Sequence, residues 1–263
     1  TVSGSAKDTG GVVGGGEVSV DGGATWRAAG GRENWSYTWT PAALGAATLL
    51  TRAVDDSGNI ETPGAGIQVT VTGRTCPCSI WEGTGVPAFP DENDGTPIEV
   101  GVKFQAEENG FITGLRFYKG SQNTGAHVGH LWSSAGVKLA EATFTGESAS
   151  GWQEVAIVPP VAIDANTTYV ASYHSSSGHY ASTQNGLDNA VVNLPLQALA
   201  SAAAGGNGVY VAGASAFPNL TFSASNYWVD VVFATDVGPD TTPPAIVALA
   251  PAEGASGVAS AAN

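Results

Sequence analysis

Apolar and polar positions alternate with a period of two over a series of short stretches, and turns rich in Gly, Asn and Ser interrupt them. Between residues 111 and 174 these stretches cover 111–119, 129–132, 151–155 and 168–174. Strands of this length and spacing predict an antiparallel β-sandwich whose loop ends carry aromatic and imidazole groups. Nearer the start, Val18-Ser19-Val20 leads into Asp21-Gly22-Gly23, a hairpin signal, and Trp35-Ser36-Tyr37-Thr38-Trp39 alternates aromatic with hydroxyl side chains. Residues 49–54 and 67–71 supply two more strands, set apart by turns at Pro41, at 55–59 and at Pro63-Gly64. About seven short strands in roughly 70 residues predict a small immunoglobulin-like or fibronectin-like sandwich. The expected fold is all-β: two tandem antiparallel β-sandwiches, a small immunoglobulin-like one over 1–73 and a larger, jelly-roll-like one over 74–236. No amphipathic helix is expected beyond a single turn in 197–204.

The connecting stretches have their own signatures. Residues 74–97 are rich in Pro and Gly and read as an extended approach to the larger unit. Residues 196–208, rich in Ala and Gly, read as a surface loop. Residues 237–263 are expected to be a Pro-rich linker and the truncated start of a further repeat. Within them Asp240-Thr241-Thr242-Pro243-Pro244-Ala245-Ile246 resembles the opening of a bacterial immunoglobulin-like domain, and its prolines favour an extended chain. The chain therefore reads as a slice through a tandem array. Ser19-x-Asp21-x-Gly23-x-Thr25-Trp26 is similar to the Asp-box hairpin of β-propellers, but the motif does not repeat as a propeller requires. A hairpin whose Asp bonds the turn backbone is the simpler reading. Asp55-Asp56-Ser57-Gly58-Asn59 resembles the inter-strand turn of bacterial immunoglobulin-like repeats, with a weak case for Ca²⁺.

The strand wording of the larger unit carries a further resemblance. Ile98-Glu99-Val100-Gly101-Val102-Lys103-Phe104, the 111–120 strand, Asn123-Thr124-Gly125, Leu131-Trp132, Gly151-Trp152-Gln153-Glu154 and Tyr227-Trp228-Val229-Asp230-Val231-Val232-Phe233 follow one another in the order seen in the bacterial domain of unknown function 4082. The resemblance covers about residues 75–235. It implies a β-sandwich module attached to large secreted proteins, beside immunoglobulin-like repeats and sometimes catalytic domains. It carries over no catalytic or binding residue.

Composition narrows the partners. The 263 residues contain 36 Gly and 14 Pro, with 12% charged residues, which suits turn-rich β structure. There is no Met, which reads as a processed product or an excised piece, with any secretion signal upstream. A net charge of -14 repels phosphate backbones and anionic lipid, so nucleic acid is not an expected partner. Membrane insertion is not expected either, because no apolar run approaches the roughly 20 residues that span a bilayer. Cys76 and Cys78 are the only cysteines; four ligands for a structural zinc site are lacking, and Cys-x-Cys is not the usual redox spacing. An oxidised Cys76–Cys78 pair in a secreted or cell-surface protein is the favoured reading.

Candidate chemistry is sparse. There is no His-Glu-x-x-His, no Gly-x-Ser-x-Gly and no phosphate-binding Gly loop. Glu99, Glu141, Glu154 and Asp230 are the only plausible catalytic carboxylates, and each reads more simply as an outward-facing strand residue, so no catalytic residue is assigned. Asp91-Glu92-Asn93-Asp94-Gly95 forms an oxygen-rich loop between prolines that could supply much of a Ca²⁺ shell through Asp91, Glu92 and Asp94, with Asp230 as a distant ligand; a hydrated turn is the alternative. In Tyr173-His174-Ser175-Ser176-Ser177-Gly178-His179-Tyr180 a strand ends in a small-residue turn and resumes with a second His-Tyr. Rings beside imidazoles at a loop mouth suit sugar recognition, so Trp132, His174, His179 and Tyr180 are candidate ligand contacts, with His127 and His130 nearby. The competing reading makes Trp132 and Tyr173 core residues and the histidines turn-lining groups.

The expected function is a non-catalytic extracellular binding module for a neutral polysaccharide or cell-surface glycan, with neighbouring domains of the same polypeptide as its other partners. One alternative is a structural spacer in an adhesin or surface filament. Another is an accessory role for an enzyme whose catalytic domain lies elsewhere. A contiguous patch of exposed aromatic rings separates the first from the second.

Overall fold

The computed structural model describes residues 1–83 and 85–238; among them the regular structure is antiparallel strand, with no helix. The Pro-rich tail beyond residue 238 lies outside the described residues.

Seven strands make up the first unit: Val2–Ser5 (β1), Val13–Ser19 (β2), Arg27–Ala28 (β3), Gly30–Gly31 (β4), Asn34–Tyr37 (β5), Gly45–Asp55 (β6) and Ile67–Val71 (β7). They form two sheets, ordered β1-β5-β4 and β3-β2-β6-β7. Alternation shows in β5, where Trp35 and Tyr37 are half-buried while Asn34 and Ser36 face water. Val13, Val18 and Leu49 are buried between the sheets. The turn after β2 is tied by its own side chains: Asp21 accepts bonds from Ser19 Oγ at 2.7 Å, Thr25 N at 2.9 Å and Thr25 Oγ1 at 2.6 Å. These bonds, those of Thr25 foremost, hold the Asp21 carboxyl well below its usual range. Asp55 likewise accepts from the amides of Ser57 and Asn59 and from Asn59 Nδ2, so its carboxylate serves its own turn.

The larger unit contains Phe89–Asn93 (β8), Ile98–Ala106 (β9), Gly110–Lys119 (β10), His127–Ser133 (β11), Lys138–Thr143 (β12), Gly151–Ile163 (β13), Tyr169–Ser175 (β14), His179–Ser182 (β15), Val191–Asn193 (β16), Leu196–Ala198 (β17), Val209–Ala212 (β18), Leu220–Thr221 (β19) and Val229–Ala234 (β20). One sheet runs β13-β10-β20; the other runs β12-β11-β14-β9 and continues past β9 to β17 and β16 at one end and to β18 and β19 at the other. β8 and β15 pair with each other outside both sheets.

The core lies between the two main sheets. Ile98, Val100, Val102, Phe104 and Ala106 of β9 all point inward and are buried. Phe117 of β10 stacks on Tyr173 of β14 with ring centroids 4.1 Å apart, and Phe144 meets its edge at 4.8 Å. Fully burying one such ring contributes about 1.5–3 kcal/mol. In β10 a register shift between Ile112 and Gly114 occurs against both neighbours. This bulge turns Ile112 inward along with Leu115 and Phe117, a change of parity that simple alternation does not predict. At Gly101 a Cβ would run into Ala171 O and Ser172 of β14, so only glycine allows the close approach.

Three stretches differ from expectation. The approach at 74–83 is not a free connection: Cys78 and Phe233 exchange backbone hydrogen bonds, and Ile80 and Trp81 are buried. Residues 91–93 belong to a strand rather than a loop, because β8 registers Asn93 against His179 and Glu92 against Tyr180. Residues 196–208 are not a surface loop throughout. Leu196 and Ala198 are buried on the edge of β9, and buried Asn207 brackets Lys103, accepting from its amide at 2.8 Å and donating to its carbonyl at 2.9 Å. One helical turn survives there, as a bond from Ala204 N to Ala200 O.

Candidate functional site

A groove opens where β8 and β15 meet the segment leading into β20. Two adjoining hollows of about 210 and 190 Å³ share Asp94, Tyr180, Phe222 and Tyr227 as walls; Tyr210 and Ile98 complete the first, and Glu92, Ser182, Gln184 and Ser225 the second. Pairing and alternation assemble this surface. Glu92 sits opposite Tyr180, and side chains two residues apart share a face, which brings Glu92, Asp94, Tyr180 and Ser182 to one side of the β8–β15 pair. Ser182 Oγ donates to Glu92 Oε1 at 3.0 Å, and Tyr180 OH donates to Asp94 Oδ1 at 3.2 Å. Tyr210 comes from β18, next to Val100 of β9.

The rings touch in sequence. Tyr180 and Tyr227 lie 5.6 Å apart with planes at 74°, and Tyr210 and Tyr227 lie 6.4 Å apart at 68°. Tyr227 is the buried floor, Tyr180 and Tyr210 are half-exposed walls, and Phe222 is 56% exposed at the rim. Burial, reinforced by the Asp94 charge, holds the Tyr180 phenol above its usual value; burial, reinforced by neighbouring Tyr210, does the same to Tyr227. Both hydroxyls therefore stay neutral and can donate and accept hydrogen bonds.

The four predicted ligand contacts do not converge. Tyr180 lies in the groove, but His179 is its chain neighbour and points to the opposite side of β15, with a buried Nδ1 that has no partner among the described residues. After β14 the chain leaves the sheet through the turn at Gly178, so His174 stays on the large sheet, where its Nε2 donates to Gly213 O at 3.1 Å. Trp132 is a packing residue: it is buried, its Nε1 donates to Ser172 Oγ at 2.8 Å, and Phe217 meets it in a T-shaped contact with ring centroids 5.7 Å apart. His127 is buried beside Phe117, between Glu147 and Asn123. Tyr210, Phe222 and Tyr227 were not singled out by the sequence pattern. Alternation places Tyr227 with the inward Val229, and Tyr210 and Phe222 carry no local signal.

The four oxygen ligands proposed for Ca²⁺ also separate. Glu92 and Asp94 share the groove, while Asp91 faces the turn at 121–122 and accepts from Gln122 N at 3.1 Å and Ser121 Oγ at 3.3 Å. Asp230 is fully buried at the free edge of β20. It accepts from the amides of Ile80 at 2.8 Å, Trp81 at 3.1 Å and Val231 at 2.8 Å, with Arg116 Nη1 3.2 Å away. A carboxylate so occupied has no room for an ion. Among the described residues no cluster of three or more His, Cys, Asp and Glu side chains is disposed to hold a metal. The Sγ atoms of Cys76 and Cys78 are joined in a disulfide.

The other carboxylates divide by what covers them. Glu141 and Glu154 are exposed, as expected of outward strand residues. Glu99 and Asp230 also point away from the inter-sheet core but are buried under covering segments. Glu99 Oε1 accepts from Ser172 Oγ at 2.6 Å and from His130 Nδ1 at 2.8 Å, and Glu99 Oε2 accepts from Ser215 Oγ at 2.8 Å.

Comparison with curated proteins returns no match. Residues 84–229, more than half of the chain and every groove-lining residue, match the model of the family described as Domain of unknown function (DUF4082), and the chain belongs to that family.

Proposed function

We propose that the larger unit is a non-catalytic module that binds oligosaccharide chains, carried in a secreted or cell-surface multidomain protein. The observation that carries this reading is the groove of Tyr180, Tyr210, Tyr227 and Phe222, edged by Ser182, Gln184 and Ser225. Sugars present C–H faces that pack on rings and hydroxyls that need both donors and acceptors. A concave, ring-lined site with a few polar groups at its edge serves both needs. The rings form one contiguous, partly exposed patch, which favours binding over a purely structural spacer.

A non-catalytic role agrees with the state of the polar groups. A serine nucleophile needs its hydroxyl directed at a base and open to substrate. Ser172 donates to the Glu99 carboxylate and accepts from Trp132 Nε1, but it is fully buried together with Glu99 and His130, so this network is closed to a substrate. An extracellular setting agrees with the disulfide, since such bonds persist in oxidising compartments.

Affinity electrophoresis against a panel of soluble polysaccharides tests the proposal. Retention by one or more of them is expected, together with its loss in Tyr180→Ala and in Phe222→Ala, both with unchanged melting temperature. Absence of retention on the whole panel, or full retention by both variants, overturns it.

A further inference from the structure

On the reading of the groove as a saccharide site, we propose that it selects sugars bearing a free, protonated amine, of the glucosamine type, over neutral and N-acetylated ones. The groove is anionic and has no internal counter-charge. Glu92 and Asp94 line it, and no Lys, Arg or His does. Glu17, Glu82, Glu99, Glu141, Glu147, Glu154 and Asp230 all have basic partners, whereas Glu92 and Asp94 appear in none of the ion pairs among the described residues. Their protein contacts are single neutral hydroxyls, Ser182 on Glu92 Oε1 and Tyr180 on Asp94 Oδ1. The second oxygen of each carboxylate is left to receive a donor.

An ammonium group suits this position in two ways. It can donate to Glu92 or Asp94 in a charge-assisted bond, roughly twice as strong as a neutral one. It also gains from the ring faces, because the quadrupoles of Tyr180, Tyr210 and Tyr227 attract a cation. N-acetylation removes the positive charge, leaving a neutral amide N–H that bonds a carboxylate more weakly and gains nothing as a cation from the rings, and it adds a bulky acyl group. A quaternary ammonium would keep the ring attraction and the Coulombic pull of the carboxylates, but it has no N–H to donate to them, and choline has a single hydroxyl where a sugar chain has several for Ser182, Gln184 and Ser225. Anionic sugars would meet two uncompensated carboxylates as well as the net charge of -14.

Calorimetric titration of the whole chain with glucosamine and N-acetylglucosamine oligomers of equal length, at a pH that protonates the amines, is the deciding measurement. Wild-type protein is expected to bind the amine oligomer at least about tenfold more tightly, with the margin shrinking as salt rises. Glu92→Gln/Asp94→Asn should bind both oligomers alike, and Asp91→Asn, which faces the turn at 121–122, should keep the preference; melting curves of both variants establish that they fold. If the double variant does not fold, the exposed single change Asp94→Asn is expected to reduce the margin severalfold. Equal binding of both oligomers by wild type overturns the amine preference and leaves saccharide binding standing. Binding of neither overturns the amine preference and, together with absence of retention on the polysaccharide panel, the saccharide reading itself; binding insensitive to Tyr180→Ala overturns the groove as the site. Full displacement of the amine oligomer by equimolar choline overturns the sugar class in favour of a quaternary ammonium.

Discussion

Asp230→Ala removes the acceptor that holds residues 80–81 against the edge of β20. In the native chain this carboxylate stands in for the next rung of a ladder. Cys78 and Phe233 exchange hydrogen bonds at 2.9 and 2.8 Å, then the chain diverges, and the Ile80 and Trp81 amides turn to Asp230 instead. Alanine leaves these two amides and that of Val231 buried and unpaired and strips Arg116 of its closest carboxylate, although Glu154 at 3.5 Å and the Trp152 ring at 4.6 Å still hold the guanidinium. Each orphaned buried donor costs about 1–3 kcal/mol, so the three cost roughly 3–9, a range that includes the roughly 3–5 kcal/mol typical of breaking a buried ion pair. With about 4 kcal/mol lost, and about 2–4 °C per kcal/mol for a unit of this size, the melting temperature should fall by roughly 8–16 °C.

Differential scanning calorimetry resolves this loss if the two units melt separately, because only the transition of the larger unit should move. Hydrogen exchange at the Ile80 and Trp81 amides should accelerate in the same variant, while exchange in β2 and β6 stays unchanged. Asp230→Asn keeps one acceptor oxygen and should fall between the two. A drop of less than about 2 °C, under about 1 kcal/mol on the same conversion, refutes the edge-clasp account. It would show that the apolar contacts of Ile80 and Trp81 hold the segment alone.

Two further outcomes follow from the same chemistry. Burial lifts the Asp230 carboxyl from 3.8 to about 6 against the pull of the Ile80 amide and of Arg116. The folded chain therefore binds the extra proton between those values, and this group's stabilising contribution is full below 3.8 and is lost as pH rises through about 6. The stability of wild type relative to Asp230→Asn should accordingly decline across that window in urea titrations; a flat or rising difference refutes it. Asn207→Ala leaves the part-buried Lys103 amide and the carbonyls of Lys103 and Leu199 without their side-chain partner, at a cost of about 2–4 kcal/mol. A change below about 0.5 kcal/mol in chemical denaturation, the range of ordinary surface substitutions, would show that Asn207 is not a bracket.

The strands were legible where one residue in two is apolar and the partner face is a core. β10 and β14 read directly from their alternation and β9 and β20 from the wording shared with the family, and the His-Tyr resumption after the turn at Gly178 was legible too. Two kinds of feature were not legible. A bulge such as that in β10 changes facing parity without any change in composition. Covering segments look polar or low in complexity because they need few apolar side chains of their own. Residues 196–208 resemble a loop, yet they are fixed by Asn207 and by pairing with β9. The same limit hid the site. Glu92 and Asp94 were grouped for a cation and Tyr180 for a sugar; their union depends on the pairing of β8 with β15, which joins residues about ninety positions apart.

The groove depends on clasps that lie outside it. Apart from Ile98 of β9, its walls come from β8 and β15 with the residues that directly follow them, from β18 and from residues 222–227, none of which belongs to the central β13-β10-β20 or β12-β11-β14-β9 strands. Segments of this kind cannot be held by inter-sheet packing alone, so side-chain bonds hold them. Thr183 accepts from Ala88 N and from Trp228 Nε1, and its backbone pairs with Asn226, which ties β8 and β15 to the run into β20. Asn207 fixes the chain just before β18, and Glu99 with Ser215 fixes it just after. Asp230 seals the far edge beside Trp228, whose ring packs on Trp81. Thr183→Val illustrates the coupling: it keeps the volume but deletes both hydroxyl contacts, and it should weaken ligand retention although Thr183 lines neither hollow. Such a loss, without a matching loss of global stability, would show that the groove is shaped by these clasps rather than by the sandwich core.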